Sequence, residues 1–276
     1  MPDNTQNNPA KDHATARLLR HVRSGELTEE KLTDCLAQGA DINATNNQGK
    51  SLLLIAAHNE LADTVGLLLK HGADIERNNG PRNETALLAA IDTGSINAID
   101  ILLKHGANTE AQSPEGYTPL LRAANRDDDA IVETLLAAGA NINATSHKGT
   151  TALALSILTT KHDTFNLLLK WDASVNTPDA RHATPLMQAC AMNDPYKVRT
   201  LLDKGANIDL RNNNGENALD ITCNVHGSDH PIKHMLDAEI TRRTTAAFQK
   251  AAEKGTTKTR KIRRPRTSQS TPARRR

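Results

Sequence analysis

The sequence predicts an all-α protein, a solenoid of about five full repeats with a capping unit at each end. Two sets of residues recur along most of the chain at steps of 33 or 34, which is the signature of stacked repeats. Aromatic side chains make up only 2% of the 276 residues. Sandwiches and barrels of this size use aromatic and β-branched residues, whereas thin helical layers can pack through Leu, Ala and Ile. Periodicity and composition therefore both favour short helices stacked in one row.

The two recurring sets define a unit of two short helices. One set is a Gly-Ala pair or its equivalent, beginning at Gly39, Gly72, Gly106, Gly139, Asp172 and Gly205. The other is a polar residue, found at Ser51, Thr85, Thr118, Thr151, Thr184 and Asn217. The polar residue is expected to begin the first helix, and the Gly to end the second in the left-handed conformation. One unit buries too little apolar surface to fold alone, so neighbouring units must stack.

The unit that begins at Thr118 shows the pattern in full. Pro119 falls in the first turn of the first helix, where its missing N–H costs nothing. Leu120 and Ala123 are spaced to face inward, and the small Ala lets the adjacent helix approach closely. We therefore expect Ala123, and Ala90 one repeat earlier, to lie in the seam between repeats.

The two ends of the array differ from its interior. Residues 14–44 form a degenerate first unit, as expected for a terminal repeat that faces water. The last unit begins at Asn212 and lacks a Gly-Ala ending, and its second helix is predicted to run on through Phe248. The expected divisions are a disordered N-terminus over 1–12, a repeat domain over 13–249 and a disordered basic tail over 250–276.

The repeats resemble the ankyrin repeat family over about residues 16–245. The resemblance rests on the period of 33, on Thr118-Pro119-Leu120 and Thr184-Pro185-Leu186, and on endings such as Gly72-Ala73-Asp74. It implies a curved solenoid with short β-hairpin fingers, in which partners dock on the concave face formed by fingers and first helices. The His that usually follows Thr-Pro-Leu in this family is absent throughout, which predicts a looser array.

Positive charge is concentrated at the end of the chain. Residues 250–276 carry eleven Lys or Arg and one acid, a net of +10 that leaves −8 on residues 1–249. The candidate localisation residues are Lys258, Arg260, Lys261, Arg263, Arg264 and Arg266. The segment has too little apolar surface to fold. Its composition is typical of import signals, of contacts with phosphates or other anionic surfaces, and of solubilising tails, and it also resembles the secretion signals of bacterial effectors.

No catalytic constellation is found in the sequence. Phosphate-cradling, dinucleotide, zinc-protease and nucleophile-elbow motifs are all missing, so no enzymatic activity and no cofactor are expected. Cys223, His226, His230 and His234 have a spacing compatible with zinc. Pro231 interrupts them, and the register places His226 and His230 in a loop between helices. The alternative, ordinary loop histidines in a terminal repeat, is favoured, and no metal site is predicted.

The remaining candidates for function are surface residues. By the resemblance, the concave face carries polar residues in the early repeats and apolar residues later. The expected partner-binding residues are Tyr117, Arg126, Leu158, Met192, Arg181 and Trp171. Aromatic residues and Arg dominate many interfaces, which favours this choice, although scattered apolar residues also occur on solenoid surfaces. Trp171 has a second interpretation, in which it covers the gap left where Asp172 replaces Gly.

The sequence thus predicts a non-enzymatic module that binds another protein through its concave face, with a basic tail for localisation or secretion. Two alternatives remain, a bacterial effector that binds a host protein and a regulator that contacts nucleic-acid phosphates through the tail. No window is apolar enough to span a membrane, the start is not a signal peptide, and three distant cysteines do not form a disulfide framework. A monomer in the cytoplasm or nucleus is expected, or in the host cell for an effector.

Overall fold

The computed structural model describes residues 9–77 and 84–262, with side chains for 10–77 and 84–251. Within these ranges the chain forms helix pairs stacked in one row, and no strand longer than an isolated bridge. The helices are α1 (Pro9–Ser24), α2 (Glu29–Ala37), α3 (Leu52–His58), α4 (Ala62–Lys70), α5 (Ala86–Thr93), α6 (Ile96–Lys104), α7 (Pro119–Arg126), α8 (Asp129–Ala137), α9 (Ala152–Ile157), α10 (Asp163–Lys170), α11 (Pro185–Ala191), α12 (Pro195–Asp203), α13 (Ala218–His226) and α14 (Pro231–Ile262). The predicted all-α solenoid of helix pairs is confirmed.

Both predicted disordered ends overlap with helices. α1 begins at Pro9, so residues 9–12 are helical, and α14 runs to Ile262, so residues 250–262 are helical as well. Pro favours the first turn of a helix, and the Ala, Gln, Glu and Lys of residues 246–254 are good helix formers that extend an existing helix at little cost. Residues 1–8 and 263–276, with Arg263, Arg264 and Arg266, lie outside the described residues.

The polar residue of each repeat caps the first helix, as predicted. The side chains of these residues each accept a hydrogen bond from the backbone N–H three residues later, at 2.9–3.4 Å, in Ser51, Thr85, Thr118, Thr151, Thr184 and Asn217. At the other end of the unit, Gly72 and its equivalents have a positive φ. Asp172 adopts the same conformation with φ 59°, so the chain reverses there despite the missing glycine.

The core lies between the helix layers of adjacent repeats. Leu120, Ala123 and Ala90 are each at most 1% exposed, and α5 packs directly against α7. Ala at two contacting positions lets these helices approach closely, which agrees with the predicted seam.

Backbone hydrogen bonds close the turn within a finger and also connect neighbouring fingers. In one finger, Ser146 and Gly149 close a turn through a 2.9 Å backbone hydrogen bond. Between fingers, the N–H of Ala180 donates to the carbonyl of Lys148, and the N–H of Asn213 donates to that of Arg181, both at 2.9 Å. The fingers are therefore held in a fixed stack along one edge of the array.

A set of side chains, here called the inter-repeat ladder, connects each repeat to the next. Asn43 Oδ1 accepts from the N–H of Asp74 at 2.8 Å, and Asn143 Oδ1 accepts from the N–H of Ser174 at 2.9 Å. The acceptors follow the repeat period and are Asn43, Glu76, Glu110, Asn143 and Asn176. The ladder links neighbouring repeats by a route that does not need the missing family His.

We expect Asn143→Ala to lower the free energy of unfolding by about 0.5–1.5 kcal/mol, because it removes one ladder bond without opening a cavity in the core. Urea denaturation followed by circular dichroism measures the change. Asp209→Ala is the matched control, since Asp209 occupies the same register position in the last repeat and accepts no hydrogen bond there from the part of the chain that the structure describes. Equal losses in both variants would contradict a specific role for the ladder.

α14 is fixed to the array by one buried carboxylate. Glu239 is 2% exposed and accepts hydrogen bonds from Arg242 and Arg243, with oxygen–nitrogen distances of 2.6–2.7 Å. Arg243 also donates to the carbonyl of Leu202, in the last turn of α12, and to that of Ala206, just after α12. α14 is long but rich in charge, and none of the helices described above is both long and apolar enough to cross a bilayer.

The carboxylate of Glu239 gives the array a pH-dependent anchor. The hydrogen bond from Arg242 lowers its pKa to about 2, with Arg243 adding to that effect and burial opposing it. Because this pKa lies below the ordinary value of 4.5, the stabilisation is complete above about pH 4.5 and is lost as the pH falls toward 2.

Glu239→Gln is therefore expected to destabilise the protein by about 1–2 kcal/mol at pH 7, a value discounted because Arg242 is 69% exposed. The difference from wild type should shrink to near zero at pH 2, as measured by urea denaturation across this range. Glu133→Gln, on the exposed face of α8, is the control and should show no such trend. A loss that is constant with pH would rule out the ion pairs as its source.

Candidate partner-binding groove

Fingers and first helices face a common groove. A hollow of about 250 Å³ is lined by Ser113, Glu115 and Tyr117 of one finger, and by residues at the ends of α5 and α7. Across it, Arg122 pairs with the carboxylate of Asp92. The predicted pairing of fingers with first-helix ends on one face is thus seen directly at this repeat.

A second hollow of about 330 Å³ lies two repeats further along the array. It is lined by residues at the ends of α9 and α11, including Leu158, Met192 and Asp194. Leu158 is 54% exposed and Met192 is 50% exposed, although both are large apolar side chains. This part of the groove therefore presents apolar surface to solvent.

The predicted binding residues separate into three groups. Tyr117 and Arg126 line the first hollow, whereas Leu158 and Met192 line the second, and the two hollows share no lining residue. Tyr117 is half-buried against the core, and Arg126 donates to the carbonyl of Asp92 at 2.6 Å. These two residues are thus partly committed to the structure itself.

Arg181 and Trp171 line neither hollow. Arg181 is exposed at the tip of its finger. Trp171 is 41% exposed and follows α10, a second helix, immediately before the left-handed Asp172. Trp171 therefore lies at the end of a second helix, whereas the hollows are lined by fingers and first-helix ends.

Two exposed side chains were missed by the sequence analysis. Val225, 56% exposed, lies near the end of α13 and is 33 residues after Met192. Tyr196, 45% exposed, stacks on His162 with ring centroids 4.4 Å apart and donates to Asn166 Oδ1 at 3.0 Å. Extending the repeat period by one more step from Met192 would have found Val225.

A buried ammonium organises the floor beneath the second hollow. Lys197 is 0% exposed, and its Nζ donates to the carbonyls of Ser156, Ile157 and Thr159 at 3.1, 3.2 and 2.5 Å. These carbonyls lie at the end of the short helix α9 and just beyond it, and the Ser156 carbonyl also accepts from the Thr159 hydroxyl at 3.0 Å. Lys197 thus holds the backbone that presents Leu158.

Asp194 completes this charged cluster. Its Oδ2 lies 3.5 Å from Lys197 Nζ and 3.2 Å from His162 Nε2. Burial raises the pKa of this carboxyl, but the hydrogen bonds from the Lys197 backbone and from His162 outweigh burial and hold the pKa below its ordinary value. The carboxylate is therefore ionised at neutral pH and is already partnered.

The zinc candidates do not converge. Among the side chains described, no group of three or more His, Cys, Asp or Glu has a metal-binding arrangement. His226 Nε2 lies 3.0 Å from the carbonyl of Cys190, and His234 Nε2 lies 3.0 Å from Asp229 Oδ1. The prediction that His226 lies in a loop is wrong, because α13 continues through this residue; His230 is in the loop and stacks on it.

Comparison with known proteins agrees with the fold. Family models for ankyrin repeats match residues 18–113, 108–179 and 181–213. The ankyrin repeat domain of Bcl-3, a member of the IkappaB family, has a solved structure that matches with a TM-score of 0.73 and 25% identity, over 80% of this chain and 97% of that one.

Curated relatives share the same region. The palmitoyltransferase ZDHHC13 of Mus musculus is 33% identical over 80% of this chain and 35% of its own length, and ZDHHC17 of Homo sapiens is 37% identical over 76% and 33%. The chain therefore spans about a third of the length of these relatives. Ankyrin repeats indicate a protein-interaction module. With repeats matched over most of its length and an ankyrin domain as a structural neighbour, the chain belongs to the ankyrin repeat family.

Proposed function

We propose that this protein is a non-enzymatic binding module that holds a partner protein in the groove between its fingers and first helices. The observation that supports this proposal is the exposure of Leu158, Met192 and Val225, each at least half exposed, at the ends of three successive first helices. A row of exposed apolar side chains is typical of a surface that a partner protein covers. Among the described side chains, none of the clusters offers a nucleophile, base and oxyanion site in one place.

The activity in the names of the relatives is not part of this proposal. The palmitoyltransferases match over about a third of their length, in their ankyrin region. Palmitoyl transfer would need residues that this similarity does not cover. What the chain shares with these relatives is the repeat array.

The basic tail is proposed to determine location rather than binding in the groove. Its charge of +10 contrasts with the −8 of residues 1–249, and exposed charges act on one another mainly within about 10 Å at 0.1 M salt. Deleting residues 250–276 should change localisation of a fluorescent fusion and leave partner binding intact. Loss of salt-dependent nucleic-acid binding after the deletion would instead favour a regulator that acts through the tail.

Partner capture with the full chain tests the main proposal. A partner identified by mass spectrometry is titrated by calorimetry against wild type, Met192→Ala, and the outer-helix controls Glu133→Ala and Lys170→Ala. Met192→Ala should weaken binding about tenfold or more, and the controls should bind as wild type does. Tyr117→Ala is less informative, since its half-buried side chain also supports the core. Losses confined to the outer-helix variants would overturn the proposed face.

A further inference from the structure

The groove changes character along its length. In the first hollow, the finger contributes Glu115 and the helix end contributes Asn125 and Arg126. One and two repeats later, the finger position of Glu115 is occupied by Lys148 and Arg181. At the helix ends, apolar Leu158, Met192 and Val225 replace polar residues over the same repeats. At this finger position the charge therefore changes from negative to positive over the repeats in which the helix ends become apolar.

The two cations lie exposed on neighbouring fingers. Both Lys148 and Arg181 are exposed, and neither side chain makes an ion pair or hydrogen bond with the part of the chain that the structure describes. Their fingers are joined by the hydrogen bond from Ala180 to the Lys148 carbonyl. The close contact leaves Gly149 no room for a side chain, because a Cβ there would lie 2.9 Å from the Ala180 nitrogen. The backbone segments that carry the two cations are thus held close together.

The nearby carboxylates are already committed. Asp179 accepts from the backbone N–H groups of Arg181 and Ala183, both at 2.8 Å, and Asp194 is paired as described above. Glu216, on the next finger, accepts from three asparagine side chains, and these hydrogen bonds lower its pKa. The hydrogen bonds of these carboxylates are therefore made to groups other than the Lys148 and Arg181 side chains.

Resting on the proposed function, we propose that this half of the groove binds an extended acidic segment of the partner, with apolar side chains interspersed among its carboxylates. Packed repeats are spaced by about one helix diameter, ~10 Å. A polyproline-type segment advances about 3.1 Å per residue and returns to the same side every third residue. Carboxylates three residues apart therefore match Lys148 and Arg181, while the apolar side chains face Leu158, Met192 and Val225.

A nucleic acid fits the same groove less well. Its phosphates would meet the two cations, but the exposed ends of the first helices offer the aliphatic side chains of Leu158, Met192 and Val225, which a phosphate backbone does not use. An acidic segment with apolar residues uses both the cations and the apolar helix ends, and it is the occupant that the charges and the exposure favour.

The probe for this inference is a labelled peptide of four Asp-Pro-Leu units, titrated into the full chain by fluorescence anisotropy. A Lys-Pro-Leu peptide tests charge sign, an Asp-Pro-Ser peptide tests the apolar contribution, and a dodecamer of dT tests nucleic acid. The Asp-Pro-Leu peptide should bind at least tenfold more tightly than each of the other three. Equal or tighter binding of any of them would overturn the inference.

Charge-reversed variants locate the site. The double variant Lys148→Glu with Arg181→Glu should lower the affinity for the Asp-Pro-Leu peptide at least tenfold. Leu158→Ser with Met192→Ser should lower that affinity severalfold. The matched control is Lys170→Glu with Arg199→Glu, which makes the same charge change on exposed positions of the second helices α10 and α12. An equal loss of affinity in the control would mean that net charge alone causes the effect, and it would refute the site. If a captured partner is lost on Met192→Ala but the peptide does not bind, this inference fails and the proposed function stands.

Discussion

Replacing Lys197 by Met should destabilise the array by about 3–5 kcal/mol, the largest effect expected for a single side chain here. Met preserves most of the volume, so the loss isolates the ammonium. Without it, the carbonyls of Ile157 and Thr159 lose their donor, the Ser156 carbonyl keeps only the Thr159 hydroxyl, and Asp194 loses a counter-charge. Each buried acceptor left without a partner costs about 1–3 kcal/mol. Urea denaturation followed by circular dichroism provides the measurement.

Thr164→Val supplies the control for Lys197→Met. Thr164 occupies the register position of Lys197 one repeat earlier, is 0% exposed, and its hydroxyl has no hydrogen-bond partner among the described residues. Removing that hydroxyl should leave stability unchanged or slightly raise it. A Lys197→Met variant as stable as wild type would show that the carbonyls at the end of α9 are satisfied by water instead.

Larger side chains in the seam between repeats should have the second largest effect on stability. Ala90→Leu and Ala123→Leu each add three carbon atoms at positions that are 0% exposed on the contacting helices α5 and α7. Each substitution should destabilise by about 1–3 kcal/mol, because a packed interior must shift to admit the extra volume. Differential scanning calorimetry of each variant measures the loss.

Ala137→Leu is the control for the seam. Ala137 is exposed on α8, and Leu has nearly the helix propensity of Ala, so this change should alter stability by less than about 0.5 kcal/mol. The double variant Ala90→Leu with Ala123→Leu should depart from additivity, since the two positions face each other's helices. Unchanged melting in both single variants would mean that the register derived from the repeats is wrong.

Periodicity made most of the fold predictable, because the same kinds of residue recur at the same positions of each repeat and form the same local structure. The capping Thr151 and the left-handed turn at Asp172 both follow from their equivalents in other repeats. The ends were less predictable, since they have no equivalents. Charge suggested disorder after residue 250, whereas an existing helix adds further residues such as Ala251 and Glu253 at little cost.

Interactions between repeats were harder to predict than the repeats themselves. Lys197 falls at a position occupied by Ile131 and Thr164 in earlier repeats, so the period does predict its burial. The period cannot predict which carbonyls the Lys197 ammonium binds, because that depends on α9 ending early at Ile157. The same holds for the groove. The row from Met192 to Val225 is visible in the sequence, but the shared hollow of fingers and helix ends is visible only in the structure.

The inter-repeat ladder has a consequence for how such a chain can diversify. Each ladder bond runs from a side chain such as Asn143 to a backbone N–H about 31 residues later, so duplication of one whole unit recreates donor and acceptor together, wherever the break falls. The groove residues, such as Arg181 and Met192, occupy other positions of the unit. Substitution can therefore change which partner the array binds, and duplication can lengthen the array. In both cases the hydrogen bonds between successive units are kept.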